Sequence, residues 1–295
     1  MLRRLKPLLL VVCCASACLA HSATIAEAEA LYHARRYPEA RTAFEQVIAA
    51  EPANANAAYY LGQLALMRDD PEDAAQWLEK ATALAPGSAT YACALGDAYG
   101  LQAQRAGLFS KLSLARKSQT AYEKAVALNP EDVEVRYSLF EFCRQAPAIA
   151  GGGLDKARVQ ALEIQKRDEL RGALALVELS VAEKNYDTAF TLLDDVLRHH
   201  PDSLAASFQF GRTAAMCGQR LDQGEAELRK YLAAPLDDDL PPRWNALWRL
   251  GQILEKKGDL AGARAKYDAG LKLNPTQPQL VEASRRIGPP PAGNP

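Results

Sequence analysis

The residues of this chain that could carry chemistry are few and lie far apart. His199 and His200 stand side by side before Pro201, aspartates occupy 237–239, and glycines occupy 151–153. A histidine pair could bind a metal or move a proton, spaced carboxylates could hold calcium, and a glycine run could cradle a phosphate.

None of these candidates has the partners that its chemistry needs. No Glu-x-x-His pattern supports the histidines, the aspartates lack a twelve-residue calcium loop, and no Lys-Ser or Lys-Thr follows the glycines. The Gly-x-Ser-x-Gly pattern of a serine nucleophile is also missing from the sequence. We therefore predict no catalytic residue, no metal and no cofactor, and we expect the chain not to be an enzyme.

Prolines at regular intervals mark the elements that would position any site. The interval from Pro52 to Pro86 equals that from Pro201 to Pro235, at about 34 residues, which is a period typical of repeated helix pairs. Proline cannot continue a helix, so each one indicates where a pair ends. The prolines in this rhythm are Pro52, Pro86, Pro130, Pro201, Pro235 and Pro275.

Three types of position recur between these prolines, at spacings that place residues on one helix face. A small residue on the first helix lets the two helices approach: Ala28, Gly62, Gly96, Gly211 and Gly251, replaced by Phe140 and Val177 in two copies. The second helix carries Ala40, Ala74, Ala157, Ala189 and Ala263, with Ser118 and Gly224 as substitutes. Bulky residues follow four positions later: Phe44, Leu78, Tyr122, Leu193, Leu228 and Tyr267. Ala161 stands at that position in the fourth copy, where we expect Phe140 to fill the space.

This pattern resembles the tetratricopeptide repeat, most completely from Trp248 to Pro275. The resemblance implies an all-α fold, a right-handed superhelical solenoid of about seven helix pairs with a capping helix over 277–287. Almost no stretch is rich in alternating Val, Ile and Thr, so we predict no sheet. The copies span 22–53, 55–86, 89–130, 133–168, 170–201, 204–235 and 244–275.

The first twenty residues differ from the rest. A basic start, an apolar run of about 13 residues and small residues before His21 are typical of a signal peptide. We predict a signal peptide at 1–20, a solenoid at 21–287 and a disordered tail at 288–295. The protein would then reach a Gram-negative-type periplasm, without a transmembrane span in its mature form. Two alternatives stay open: an uncleaved anchor, and an outer-membrane lipoprotein lipidated at Cys18.

Charge and cysteine content narrow the classes of partner. The full chain has a formal net charge of −1, and removal of Arg3, Arg4 and Lys6 makes it more acidic, so we predict no nucleic-acid partner. The cysteines beyond the signal segment are Cys93, Cys143 and Cys217. They are interpreted as small buried apolar residues, with a Cys93–Cys143 disulfide as the alternative.

The first helices of such repeats line the concave groove of the solenoid, so that groove is the predicted partner site. Relatives that grip a C-terminal carboxylate use Lys and Asn there, and this chain does not, so that mode of binding is not carried over. Aromatic and acidic residues followed by arginines indicate an extended peptide with mixed contacts. The predicted groove residues are Tyr59, Gln63, Asp97, Tyr137, Glu141, Glu178, Phe208, Arg212, Trp248 and Arg249.

Two insertions interrupt the repeat, at 101–117 and 146–153. Both fall between the two helices of a pair, so we expect adjacent loops at one edge, with the first helix of copy three ending near Gly100 and the second resuming near Ala115. This pairing resembles bacterial envelope proteins with these repeats. The edge residues are Leu108, Phe109, Lys111 and Ile149. They form either a docking patch for a partner or membrane surface, or a cover packed on the weak fourth repeat.

The leading functional prediction is a non-enzymatic scaffold of the bacterial envelope that binds a protein or peptide segment in the groove. The alternative is a regulatory or assembly subunit of an envelope machine, for cytochrome maturation, pilus or cell-wall assembly, that docks through the 101–117 insertion.

Overall fold

The computed structural model describes residues 23–237 and 239–288, and these residues form fifteen α-helices and one 3-10 helix. The predicted signal peptide, Cys18, Asp238 and residues 289–295 of the predicted tail lie outside the described residues. The helices are α1 (Ile25–His33), α2 (Tyr37–Ala50), α3 (Ala55–Met67), α4 (Pro71–Leu84), α5 (Ala89–Arg105), α6 (Leu108–Leu128), α7 (Val133–Gln145), η1 (Ala148–Ala150), α8 (Leu154–Gln165), α9 (Glu169–Ala182), α10 (Tyr186–His199), α11 (Leu204–Cys217), α12 (Leu221–Ala233), α13 (Arg243–Lys256), α14 (Leu260–Leu273) and α15 (Pro278–Ile287).

The α-helices form seven consecutive pairs followed by one more helix, so the predicted all-α solenoid of helix pairs is confirmed. We call the first helix of each pair the A helix and the second the B helix. The chain divides into two compact units. Unit 1 ends at Pro86 and contains α1 to α4, and unit 2 begins at Gly87 and contains α5 to α15.

The prolines and the residues around them explain where the pairs begin and end. Five of the B helices have a C-cap residue that directly precedes a proline, and this residue has φ between −126° and −142°. A residue before proline is pushed out of the helical region, so the helix stops there. A polar side chain two residues after the proline often caps the next A helix, as Asn54, Ser88 and Ser203 do.

Glycine in the A helix lets the bulky residue of the B helix pack directly on its backbone. A Cβ atom at Gly62 would lie 2.5 Å from Cγ of Leu78 in unit 1, and one at Gly251 would lie 2.3 Å from Cε1 of Tyr267 in unit 2. Both contacts are closer than any side chain tolerates without displacement. The small and bulky positions found in the sequence are therefore two halves of one contact.

The fourth pair reverses this arrangement. Phe140 on α7 is fully buried and belongs to the same apolar cluster as Ala157 and Ala161 on α8. A large residue on the A helix thus accompanies small residues on the B helix, and the predicted role of Phe140 as a filler agrees with its position.

The turns between A and B helices fall into two kinds. After α1, α3, α9, α11 and α13 the chain turns through a residue with positive φ: Arg35, Asp69, Lys184, Gly218 and Gly258. After α5 and α7 the chain leaves the helix through an extended residue instead, Ala106 and Ala146. The two exceptions are the sites of the two insertions.

The first insertion is helical, and the expectation of a loop over 101–117 is corrected. Helix α5 continues to Arg105 and α6 begins at Leu108, so only Ala106 and Gly107 lie between the helices. The inserted Leu, Lys, Ala and Arg residues are good helix formers and extend both helices. The second insertion forms η1 and a tight turn in which Gly151 and Gly153 have φ of 98° and 123°.

The C-terminal helix α15 covers the last pair. Leu280 is fully buried and its side chain lies against the position of Gly270, while Arg286 pairs with Glu255 at 2.8 Å. Its outer side carries the exposed Arg285 and Glu282. An apolar inner side and a charged outer side suit a helix that closes an open stack.

Candidate functional site

The A helices of unit 2 bring five of the predicted groove residues onto one polar surface. Tyr137 and Glu141 belong to α7, Glu178 to α9, Arg212 to α11 and Arg249 to α13. Hydrogen bonds or charge interactions connect these four helices. We call the surface that these five residues define the A-helix face.

Glu178 is at the centre of the acidic part of this face. Its Oε1 atom accepts hydrogen bonds from the hydroxyl of Tyr137 at 3.1 Å and from Nε2 of Gln209 at 2.8 Å. Its Oε2 atom lies 3.6 Å from Nε of Arg144. The carboxylate therefore joins three successive A helices, α7, α9 and α11.

Arg144 and Gln209 were not among the sequence candidates, although both are essential to this network. Arg144 donates two hydrogen bonds to Glu141, at 2.6 and 2.9 Å. Its spacing of three residues from Glu141 on one helix is the signal that could have found it. Gln209 follows the predicted Phe208 in sequence. The orientation of α11 points Gln209 to Glu178 and Phe208 to the interior.

The two glutamates of the face titrate in opposite directions. Burial, followed by the nearby charge of Glu141, raises the pKa of Glu178 to about 6. Burial also opposes ionisation of Glu141, but the hydrogen bonds and charge of Arg144 outweigh it and hold the pKa of Glu141 below its usual value. At neutral pH the pair is thus ionised, with Glu178 held in an unfavourable setting.

Two arginines, Arg212 and Arg249, form the basic part of the face, and of these Arg212 is near enough to Glu178 to lower the pKa of that carboxyl by its charge. Arg249 donates to Oε1 of Gln252 at 3.1 Å, and Arg212 makes only a long contact of 3.4 Å to Oε1 of Gln209. Neither guanidinium forms an ion pair within the described part of the chain. The buried Nε of Arg249 also has no hydrogen-bond partner among the described residues.

The setting of Arg249 is unfavourable for a cation. Burial, together with the positive charge of Arg212, lowers the pKa of Arg249 to about 10. Its guanidinium carbon lies 4.0 Å from the ring centre of Trp248, which offers some compensation. A bound anion would supply the missing hydrogen-bond acceptor and relieve the repulsion between the two arginines.

Two predicted groove residues contact the B helix of their own pair instead. Phe208 is 4% exposed and packs on Tyr231 of its own pair, with ring centres 5.3 Å apart. Asp97 accepts a 2.6 Å hydrogen bond from the hydroxyl of Tyr122. Burial raises the pKa of Asp97, although the bond from Tyr122 acts against the shift. Both residues connect an A helix to its B helix. The prediction for Phe208 is corrected from surface to core, and Asp97 is half-buried with its carboxylate engaged by Tyr122.

Other predicted positions are only partly exposed. Trp248 is half-buried beside Arg249. Tyr59 and Gln63 belong to α3 and are half-buried in unit 1, where Tyr59 contacts the ring of Tyr60. They belong to unit 1 and are not part of the A-helix face, which unit 2 forms.

The predicted insertion edge is exposed rather than packed. We call residues 106–111 the hairpin tip. Leu108 is 72% exposed and Phe109 is 91% exposed, Lys111 is exposed beside them, and Ile149 of η1 is 66% exposed. These side chains do not cover the fourth repeat, so that interpretation is wrong. Instead Ala150 of η1 packs against Ala103 and Ala115 of the hairpin.

The remaining candidates for chemistry show no assembled site. Cys93, Cys143 and Cys217 are all unpaired, so the alternative of a Cys93–Cys143 disulfide is not realised. Burial raises the pKa of Cys93 and of Cys143 to about 11, as expected for inert thiols. In the described ranges no three metal-ligating side chains come together. Within those ranges, too, no helix has the length and apolar content that crossing a bilayer requires.

A family model described as "Tetratricopeptide repeat" matches residues 25–89 and 213–278 of the chain. The matches fall on the first two pairs with the start of α5 and on the region from α11 to α15. No curated protein matches the chain in sequence. The geometry and the family model therefore agree on the repeat, and neither specifies a ligand.

Solved structures show the same fold at low identity. A tetratricopeptide repeat protein from Parabacteroides merdae has a TM-score of 0.68 and 15% identity, over 89% of this chain and 96% of that one. Yeast Tom70 has a TM-score of 0.65 and 15% identity, over 88% of this chain and 52% of its own. PilF from Pseudomonas aeruginosa has a TM-score of 0.50 and 17% identity, over 77% and 95% respectively.

Proposed function

We propose that this chain, as a tetratricopeptide repeat protein, is a protein-interaction scaffold. Unit 2 would bind an extended protein segment on its A-helix face. The observation that carries the proposal is the pair Arg212 and Arg249. Neither of these neighbouring guanidinium groups has a carboxylate at ion-pair distance among the described residues, although Arg212 faces Glu178. The buried Nε of Arg249 is also unsatisfied, which is costly unless a ligand supplies an acceptor.

The face also indicates the chemistry of the segment. A carboxylate of the segment would pair with Arg212 and Arg249, since a guanidinium fork matches a planar carboxylate. Trp248 lies beside Arg249 and offers an aromatic surface for an apolar side chain. Glu141 and Glu178 are already engaged with Arg144 and Gln209, so they position helices and contribute little free charge. We therefore expect an extended segment with an acidic residue next to an apolar one.

A peptide selection tests this proposal. A phage-displayed random peptide library would be panned on the mature chain, and the affinity of enriched peptides would be measured by fluorescence anisotropy. Peptides with an acidic residue should be enriched, and Arg212→Glu or Arg249→Glu should weaken their binding at least about tenfold, as loss of a hot-spot arginine does.

The matched control is Arg198→Glu, which reverses an exposed arginine on the B helix α10 of the same unit. It should bind the peptides normally. Equal binding by all three variants, or enrichment of peptides without acidic residues, contradicts the proposal.

We further infer an envelope location from the basic, then apolar, first twenty residues. Mass analysis of protein released from the periplasm should give an N-terminus near His21. An intact Met1 contradicts this inference, and an acylated Cys18 would favour the lipoprotein alternative. The role is inferred to be non-catalytic, as is general for this family.

A second candidate function is that of an assembly subunit that docks to an envelope machine through the 101–117 insertion. The exposure of Leu108 and Phe109 favours it. In that case Phe109→Ala and Lys111→Glu, rather than the arginine variants, should abolish capture of the partner.

A further inference from the structure

The hairpin tip projects two adjacent large apolar side chains into solvent. Leu108 is the first residue of α6 and Phe109 the second, directly after the two-residue turn from α5. They are the most exposed large apolar residues in the described chain. Gly107 has no heavy atom within 4 Å of the place where its Cβ would stand, so the turn itself is open to solvent. Such side chains in a monomer are typical of an interaction surface.

The chain around the tip is basic, although the protein as a whole is not. No acidic residue occurs between Asp97 and Glu123, while Arg105, Lys111, Arg116 and Lys117 fall in that interval. The full chain has a formal net charge of −1. The hairpin that carries the exposed apolar residues is thus locally basic.

The cations near the tip are also available for an external anion. Lys111, Arg116 and Lys117 are exposed, and none of them forms an ion pair with a carboxylate in the described ranges. The ammonium group of Lys117 lies 4.9 Å from the ring centre of Tyr99. The ring attracts the cation but carries no net charge, so the positive charge of Lys117 stays available to an anion.

Apolar and basic groups share one side of the hairpin. A surface cavity of about 690 Å³ lies along α5 and α6, with an apolar part that includes Leu95, Phe109 and Leu112 and a basic part that includes Lys117 and Lys124. Phe109, Leu112 and Arg116 are three and four residues apart, so they lie on one face of α6. Ile149 adds a further exposed apolar side chain from η1, which packs against this hairpin.

An anionic bilayer surface is the partner that fits this arrangement. Interfacial helices combine apolar side chains that enter the headgroup boundary with Lys and Arg that attract anionic lipids. Leu108 and Phe109 are 72% and 91% exposed, so a bilayer surface can accept both side chains without rearrangement of the hairpin. The absence of acids over the whole stretch also suits a uniformly negative surface rather than a protein surface of mixed charge.

We propose that the hairpin tip docks on a bilayer rich in anionic phospholipid, with Leu108 and Phe109 entering the interface and Lys111, Arg116 and Lys117 facing the lipid phosphates. This docking is independent of the A-helix face. It would hold the scaffold at a membrane surface by a reversible contact.

Vesicle sedimentation tests the proposal with the mature chain starting at His21, so that the apolar N-terminal segment contributes nothing. Vesicles of equal parts phosphatidylglycerol and phosphatidylcholine would be compared with vesicles of phosphatidylcholine alone. The chain should bind the anionic vesicles at least about tenfold more strongly, and added salt should weaken the binding. A Leu108→Ser/Phe109→Ser variant should lose most of the binding, and Lys111→Glu/Lys117→Glu should lose the preference for phosphatidylglycerol.

The matched control is Val159→Ser/Leu273→Ser, which removes two exposed apolar side chains elsewhere in unit 2 and should bind as the parent does. Circular dichroism should show unchanged helix in every variant. No binding to anionic vesicles, equal binding to both vesicle types, or undiminished binding by the Leu108/Phe109 variant overturns the proposal. So does photo-crosslinking of the tip to a protein partner in place of lipid.

Discussion

The A-helix face and the hairpin tip of unit 2 differ in which side chains are exposed and which charges are paired. On the face, charged side chains are partly buried and held by one another, and Arg212 and Arg249 have no carboxylate at ion-pair distance among the described residues. At the tip, Leu108 and Phe109 are exposed, and Lys111, Arg116 and Lys117 form no ion pair with a carboxylate among the described residues. One repeat architecture can thus present two kinds of surface. Its regular part presents charged side chains, and its insertion presents apolar side chains.

Packing differs between the two regions in the same way. Along the face, Gly251 is covered by Tyr267 of the B helix, and a Cβ atom there would lie 2.3 Å from that ring. At the tip, Gly107 has open space around it. A closed interior behind the face and an open tip should therefore respond differently to the same substitution.

The largest expected effect is on stability, and it distinguishes the closed interior behind the face from the open tip. Gly251→Leu would force Tyr267 out of position and should lower the free energy of unfolding by about 1–3 kcal/mol, as overpacking does. The matched substitution at the tip, Gly107→Leu, should change it by less than about 0.5 kcal/mol. Denaturant unfolding followed by circular dichroism measures both. Equal losses would show that the tip is packed as tightly as the interior.

A smaller effect concerns pH and the buried charge of the face. The pKa of Glu178 is raised to about 6, so its contribution to stability is fully present below its unfolded value of 4.5 and is lost as pH rises through about 6. The groups that face it are Glu141, Arg144 and Arg212. Glu178→Gln should therefore be more stable than the parent by about 1–2 kcal/mol at pH 7. The difference should disappear below about pH 4.5.

Unfolding experiments across this pH range provide the check, with Lys111→Gln at the tip as a control that should follow the parent. If the free energy of unfolding has the same pH dependence in the parent and in Glu178→Gln, the carboxylate of Glu178 is solvated and the face is open to water.

The sequence predicted much of this fold because its signals are local. Proline removes the residue before it from the helical region, and glycine on an A helix leaves room for a bulky residue on the B helix. These two constraints locate most of the helix pairs, whereas the fourth pair has neither the closing proline nor the glycine. The hairpin was predicted as a loop because the inserted residues fall between the two helices of a pair. The good helix formers among them extend both helices instead.

The site was harder to predict because it depends on side-chain directions between helices. Asp97 occupies the same repeat position as Glu141 and Glu178, but the hydroxyl of Tyr122 reaches it and engages its carboxylate. Phe208 and Gln209 are neighbours in sequence, yet one packs on Tyr231 and the other binds Glu178. Periodicity alone cannot distinguish such cases, since a small rotation of one helix exchanges the two roles.

Photo-crosslinking at two positions tests directly whether the A-helix face binds protein and the hairpin tip binds lipid. Benzoylphenylalanine would replace Trp248 beside the arginines of the face and, in a second variant, Phe109 at the tip, in cells that produce the protein natively. We expect a discrete protein adduct from position 248 that disappears when Arg212→Glu is added, and only lipid adducts from position 109. A protein adduct from position 109 together with none from position 248 would contradict this expectation.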